Sequence, residues 1–190
     1  MLRGRFGLFR NFSTGPGRKL FDLDRTLSKK ALEELQGFSL VTSTDLLWGS
    51  QDSFGHVNNC THIQLFEQSR CVYFLELERR SGTLWTNNPH DPRRAASRVG
   101  PILANISCKY TAILEWPNVV AIGARVSGFM RDRTRFKMQH KIVVVSSGQV
   151  VAVGEGDCAC VDYATSKVVP VPAAIQEAIN EIEGRAVPDV

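Results

Sequence analysis

Asp52, Gly55, His56, Asn58 and Asn59 stand close together in the run Trp48-Gly49-Ser50-Gln51-Asp52-Ser53-Phe54-Gly55-His56-Val57-Asn58-Asn59. A carboxylate can take a proton from water or attack a carbonyl carbon, and an imidazole can orient either partner. The glycine frees the backbone for a tight turn. The two adjacent amide side chains suit the start of a helix, where the first N–H groups have no partner within the helix. An acid or base beside such N–H groups is a setting for attack on a carbonyl, because the amides hold the negative charge that develops on oxygen. Helix capping alone accounts for one of Asp52, Asn58 and Asn59, and leaves the shared presence of Asp and His unexplained.

The flanking elements decide whether these groups can meet. Phe38 to Trp48 reads as a strand and Asn59 to Arg80 as the longest helix, so the run is a strand-to-helix junction. That helix carries Ile63, Phe66, Tyr73, Phe74 and Leu77, with Leu65, Val72 and Leu75 on further faces, the pattern of an enclosed helix. Ser81 and Gly82 end it. Residues 83–99 are irregular, with Asn87, Asn88, Pro89, Asp91 and Pro92 followed by Arg93, Arg94 and Arg98.

Four strand-like segments follow. Ala104, Ile106, Cys108 and Tyr110 alternate with polar neighbours, and Val120, Ile122, Ala124 and Val126 repeat the pattern. In the third, Phe136, Met138 and Ile142 point inward while Arg133, Arg135, Lys137, Gln139 and Lys141 point outward. Ser146-Ser147-Gly148-Gln149 is a hairpin turn into Val150 to Val161. Pro172 opens a last helix with Ile175, Ala178, Ile179 and Ile182 on one face. Leu20, Leu23, Leu27, Ala31 and Leu35 predict an appended helix that Gly37 stops. The order strand, helix, four strands is an α+β domain whose long antiparallel strands can curl around one helix.

Two further groups could do chemistry. Glu67 and Arg70, three apart on the long helix, predict a local ion pair worth about 0.2–0.5 kcal/mol, and Glu67 is a second carboxylate able to rival Asp52. The outward stripe of Arg133, Arg135, Lys137 and Lys141 suits phosphate groups or a solvated face. It lacks the interleaved aromatics of a nucleic-acid surface.

The central run resembles the D-x-x-G-H-V-N-N signature of hotdog-fold thioesterases of the 4-hydroxybenzoyl-CoA thioesterase group. The usual motif is D-x-D-x-x-G, whose second Asp is catalytic and falls on Asp52, while the first is replaced by Ser50. The run is also similar to the D-x-N-x-H-V-N-N of plant acyl-carrier-protein thioesterases, matching Asp52, His56, Asn58 and Asn59, with Phe54 where that group has a functional Asn. The resemblance spans roughly residues 38–161 and implies a hotdog fold, a five-stranded antiparallel sheet wrapped around a long central helix, with extra helices at both ends. It implies an acyl-CoA thioesterase in which Asp52 is general base or nucleophile and the Asn59 backbone amide polarises the thioester carbonyl. His56 and Asn58 would orient the reactants and hold the turn. Gly55, Glu67, Arg133, Arg135 and Lys137 would lie around the substrate, the basic ones against the phosphates of coenzyme A. No cofactor or metal is implied beyond coenzyme A as part of the substrate. The family site lies at an interface between subunits, so a homodimer or homotetramer is expected. The alternative is a non-catalytic hotdog subunit that binds acyl chains or serves as scaffold in a mitochondrial assembly, a reading that Ser50 keeps open. Dehydratases and hydratases of the same fold place Asp and His five apart with a proline between; here the two are four apart without one.

Composition narrows the classes. With 190 residues, 43% of them apolar, the chain can form one domain with extensions. Its formal charge of +4 is concentrated in residues 1–19, which hold Arg3, Arg5, Arg10, Arg18 and Lys19 and no acid. The remainder has 18 basic against 19 acidic residues, which offers no global field for nucleic acid. No apolar run approaches the ~20 residues of a membrane span. Five cysteines without a regular framework indicate free thiols, with Cys158 and Cys160 in the core and Cys60 without an activating neighbour. There is no glycine-rich phosphate loop, dinucleotide fingerprint, zinc-ligand pair or G-x-S-x-G elbow.

The expected organisation is a presequence over 1–19, a helical extension over 20–37, the hotdog domain over 38–170 and a C-terminal helix and tail over 171–190. Residues 1–19 are Arg-rich, acid-free and interleaved with Leu and Phe, and Arg10-Asn11-Phe12-Ser13 resembles a matrix-processing site. A fluorescent protein fused to residues 1–30 should therefore enter the mitochondrial matrix. Replacing Arg3, Arg5 and Arg10 with Gln should leave it in the cytosol; a cytosolic parent fusion would overturn the assignment.

Overall fold

The computed structural model describes residues 20–22, 27–85 and 99–190, and residues 20–22 by backbone alone. The presequence and the arginines of the 83–99 stretch lie outside the described residues. The elements are β1 (Leu20–Asp22), α1 (Lys29–Glu34), β2 (Leu40–Asp45), α2 (Asn59–Ser81), β3 (Val99–Tyr110), β4 (Val119–Phe129), β5 (Arg135–Val144), β6 (Val150–Asp162), β7 (Lys167–Val168) and α3 (Ala173–Glu183).

One sheet runs β1-β2-β4-β5-β6-β3, with β7 on β6. The five principal strands pair antiparallel and curl around α2. The alternating segments form β3 to β6, and the tight turn into β6 places Gly148 at φ +69° with Gly148 N–H on the Val144 carbonyl at 2.9 Å. The long helix ends one residue beyond its expected limit, where Gly82 takes φ +66°. β4 occupies the middle of the sheet, and Val120 to Val126 are buried on both faces save at Arg125. α1 covers one face of β4, packing Ala31 and Leu35 on Ala121 and Val143, and α2 the other.

Two expectations are corrected. The helix foreseen from Leu20 to Gly37 is confined to Lys29–Glu34, because Ser28 caps it there by accepting from Ala31 N–H at 3.2 Å. Upstream, Leu20–Asp22 runs parallel to Leu40–Thr42 as a strand instead. The strand foreseen from Phe38 to Trp48 stops at Asp45, and Trp48–Ser50 turn into one short 3-10 helix that leads into the motif.

α2 buries one face, with Phe66, Ser69, Arg70, Tyr73 and Leu77 against the sheet, and leaves Gln64, Glu67, Gln68, Cys71 and Leu75 outside. Phe66 lies flat on the sheet because the strand beneath it carries Gly154; a Cβ there would collide with the ring. α3 closes the far end of the core with Ile175, Ala178, Ile179 and Ile182. Its last residue, Glu183, enters the protein. Oε1 accepts from Tyr73 Oη at 2.7 Å, Ser39 Oγ at 2.8 Å and Val126 N–H at 2.8 Å. Burial nevertheless pushes this carboxyl above its ordinary range.

His140 was not among the inward residues expected of β5, yet it is fully enclosed between Met138 and Ile142, stacked on Phe66 with ring centroids 5.2 Å apart. Burial first, and the nearby Arg70 charge second, push its pKa down to about 3. An unfolded chain takes up a proton at this site near pH 6.5, while the folded core refuses it until about pH 3. Stability must therefore fall as pH drops through that window, by up to about 1.4 kcal/mol per pH unit. His62, also lowered by burial, acts in the same sense. Glu183, raised, acts in the opposite sense, since its contribution is lost as pH rises. Urea unfolding from pH 6.5 to 5 should show a steeper loss of stability in the parent than in His140→Asn, which keeps a donor for Ser69. Equal slopes would contradict a neutral buried His140.

Candidate active site

The motif is bolted to a single loop at both of its ends. Leu46 N–H donates to Asn118 O at 2.9 Å and Val57 N–H to Leu114 O at 2.7 Å, which fixes it against the β3–β4 connection. Asn58 N–H reaches back to Ser50 O at 2.9 Å. Ser50, where the usual motif has its first Asp, thus serves through its carbonyl, which also accepts from Thr61 Oγ1 at 3.4 Å.

Asp52 does not cap the helix. Its Oδ1 accepts from Phe54 N–H at 2.9 Å and His56 N–H at 3.4 Å, and Gly55 adopts φ +79° so the chain can turn around it. Asp52 N–H donates to His56 O at 2.8 Å and closes the loop. One carboxylate oxygen is therefore committed to shaping the turn. Oδ2 has no hydrogen-bond partner among the described residues, and the residue is only half-buried.

The cap is Asn58, whose Oδ1 accepts from Cys60 N–H at 2.8 Å; Asn59 Oδ1 shares the same donor at 3.0 Å. Thr61 N–H turns to Asn58 O at 3.0 Å. Of the first three amides of α2, the second and third are thus taken. The Asn59 N–H has no acceptor among the described residues, and the residue is exposed. It is the amide on which a carbonyl oxygen can settle.

His56 points to the β3–β4 loop, with Nε2 4.0 Å from Glu115 Oε1. Beneath the first turn, His62 donates from Nδ1 to Asn58 O at 3.2 Å and meets Tyr110 edge-on, ring centroids 5.1 Å apart; its Nε2 is buried without a partner. Neither Glu115 nor His62 was singled out from sequence. His62 stands one turn after the motif and was findable by helix spacing. Glu115 has no local signal, since only the pairing of two loops brings it here. Large apolar side chains rim the site: Trp48, Ile113 and, 82% exposed, Phe54.

The remaining candidates are scattered. Glu67 is exposed, and the expected pair with Arg70 does not form, because Arg70 turns into the core while Glu67 stays on the outer face. Glu67 lies eight residues along α2 from Asn59, about 12 Å, and does not share the carbonyl site within one chain. Arg133 is not on the strand face. It occupies a turn at φ +57°, pairs with Asp189 at 2.6 Å and stacks on Phe129. Lys137 faces Asp157 at 3.5 Å and Lys141 faces Glu34 at 3.5 Å, while Arg135 is exposed. Arg133, Arg135 and Lys137 sit at the end of the sheet away from the motif, about 30 Å along β4. Cys158 and Cys160 are buried, both thiols pushed up to about 12 by burial, and Cys60 is exposed. Among the described residues no cluster could hold a metal ion and no helix is long and apolar enough to cross a membrane.

A curled antiparallel sheet around a long helix, with this junction at the helix start, is the hotdog architecture of thioesterases. The thioesterase-like superfamily model matches residues 46–179, and the chain belongs to that family. Among curated proteins no sequence matches it. Solved structures share the fold. A thioesterase from Thermus thermophilus, crystallised with coenzyme A and zinc, superposes with a TM-score of 0.63 at 24% identity, over 79% of this chain and 98% of that one. A DHNA-CoA thioesterase from Staphylococcus aureus gives 0.61 at 16% identity, over 79% and 97%. A 1,4-dihydroxy-2-naphthoyl-CoA thioesterase from Synechocystis gives 0.59 at 15% identity, over 73% and 93%.

Proposed function

We propose that this protein hydrolyses acyl-CoA thioesters in the mitochondrial matrix. The observation that carries the reading is the pairing of two unspent groups on one loop: the free Asn59 N–H and the free oxygen of Asp52. The thioester oxygen would rest on the Asn59 amide. Asp52 would take a proton from water as its oxygen adds to the carbonyl carbon, or add directly and form an anhydride that water then opens. The carbon–sulfur bond breaks, the thiolate leaves and takes a proton, and the free acid remains. His56, with Glu115 behind it, would orient the water or Asp52, and the apolar rim of Trp48, Phe54 and Ile113 suits an acyl group. Asp52→Asn keeps the turn-shaping oxygen but cannot accept a proton. It should leave the fold intact and lower turnover ~10²–10⁴-fold, while Glu67→Gln keeps parent activity. The reverse pattern in an acyl-CoA hydrolysis assay would transfer the role to Glu67. A parent that binds acyl-CoA tightly without releasing coenzyme A would favour the scaffold alternative.

The reading includes a second copy of the chain. β3 is twelve residues long and, among the described residues, pairs with β6 alone in the sheet order, so beyond Pro101 its outer edge is open to a further strand. Edge pairing with a second β3 would cover it and build a dimer or a dimer of dimers. Light scattering at micromolar concentration should give at least twice the chain mass; a monomer would rule out a site shared between subunits.

A further inference from the structure

The amide offered to a carbonyl oxygen belongs to the peptide group between Asn58 and Asn59. That group is planar and trans, so its C=O and N–H point in opposite directions. Asn58 has ψ 143°, and α2 starts on the other side of the bond. Among the described residues the N–H of this peptide has no acceptor, so the peptide is held by its oxygen. Two donors meet that oxygen: Thr61 N–H at 3.0 Å and His62 Nδ1 at 3.2 Å. A carbonyl can only accept, which puts the imidazole proton on Nδ1.

His62 is a costly occupant of its place. It is 4% exposed, beneath the first turn of α2 and edge-on to Tyr110 of β3, ring centroids 5.1 Å apart. Its Nε2 is buried without a hydrogen-bond partner among the described residues. A phenyl ring would meet Tyr110 as well and bring no unsatisfied atom. What the imidazole adds is one donor, and that donor is spent on Asn58 O. The Thr61 bond comes from backbone and survives any side chain at position 62.

The side-chain bond does two things to the N–H across the peptide plane. It resists rotation about Asn58 ψ, which would turn the carbonyl out and swing the N–H from its present direction. It also draws electron density toward the oxygen, which makes the N–H a stronger donor. We infer that His62 is a positioning residue for the oxyanion site: from beneath α2, through the Asn58 carbonyl, it aims and polarises the Asn59 amide. It acts on the peptide and does not touch the substrate. What the amide does in turnover rests on the hydrolase reading; how the amide is held does not.

The test uses the full chain. His62→Phe keeps a ring against Tyr110 and removes the donor, while His62→Asn gives up the ring and keeps a donor in the place of Nδ1. A packing role makes activity follow the melting temperature; the positioning role makes it follow the donor. His62→Phe should lower kcat for acyl-CoA hydrolysis about 10-fold with little change in KM, less than the 10²–10³-fold cost of losing an oxyanion donor outright. His62→Asn should recover most of that loss. Proline fits the first position of a helix and has no N–H, so Asn59→Pro deletes the amide alone, with Asn59→Ala as its reference. His62→Phe should slow the Asn59→Ala background and have no further effect, within about 2-fold, in the Asn59→Pro one. Equal losses in both backgrounds, or His62→Asn as slow as His62→Phe, would overturn the inference. Amide NMR reads the same link without turnover. The Asn59 amide proton should move upfield in His62→Phe and return in His62→Asn. If it does not move, His62 has no hold on this amide, however active the hydrolase. If it moves while the parent releases no coenzyme A from acyl-CoA, the link stands and the hydrolase reading fails.

Discussion

The geometry of the motif depends on one satisfied donor. Asn58 takes the Cys60 amide, so α2 can begin at Asn59 and not a residue earlier or later. With the cap in place, the third amide turns back to Asn58 O, and among the described residues the first-turn N–H left without an acceptor is that of Asn59. Asp52 does not take it, since its Oδ1 is held by its own loop and its Oδ2 bonds no described residue. Two opposite tendencies are therefore built into ten residues of chain: the helix start consumes its donors until one remains, and the turn consumes one carboxylate oxygen while sparing the other. A cap of this kind is worth about 1 kcal/mol, small against the stability of a domain. It nevertheless decides where an oxygen could be received.

The core beneath the motif is less uniform than its composition implies. Gly154 lets Phe66 lie against β6 and stack on His140, which joins helix to sheet by ring contact. One turn further on, Ser69 and Arg70 break the apolar run of α2, and the interior divides into clusters on either side. A polar seam of this type costs stability unless each member is satisfied.

Much of the architecture was legible because it depends on local pattern. Alternation in Val120 to Val126 and Ala104 to Tyr110 marked strands, Gly82 marked the end of the long helix and Gly148 the hairpin. The motif itself was legible because the chemistry sits within one short run. What was missed depends on partners distant in sequence. Leu20–Asp22 is a strand only because Leu40–Thr42 lies beside it. His140 shares the parity of the inward Phe136, Met138 and Ile142, so alternation along β5 placed it inside, and only its polar side chain kept it off the expected core. Arg70 abandons Glu67 for the interior, where helix spacing gives no hint of what it meets. Arg133 lies in a left-handed turn and not on β5, because Asp189 and Phe129 hold it there.

Glu183 ties the end of the chain to its beginning and middle. A single carboxylate oxygen accepts from Ser39 before β2, Tyr73 on α2 and Val126 on β4. A growing chain emerges from the ribosome with α2 and the central strands already made, yet with three buried donors still waiting for their acceptor. Until the final helix is delivered, the Tyr73 hydroxyl and the Val126 amide lack this acceptor, so α2 and β4 gain these buried hydrogen bonds only when residue 183 arrives.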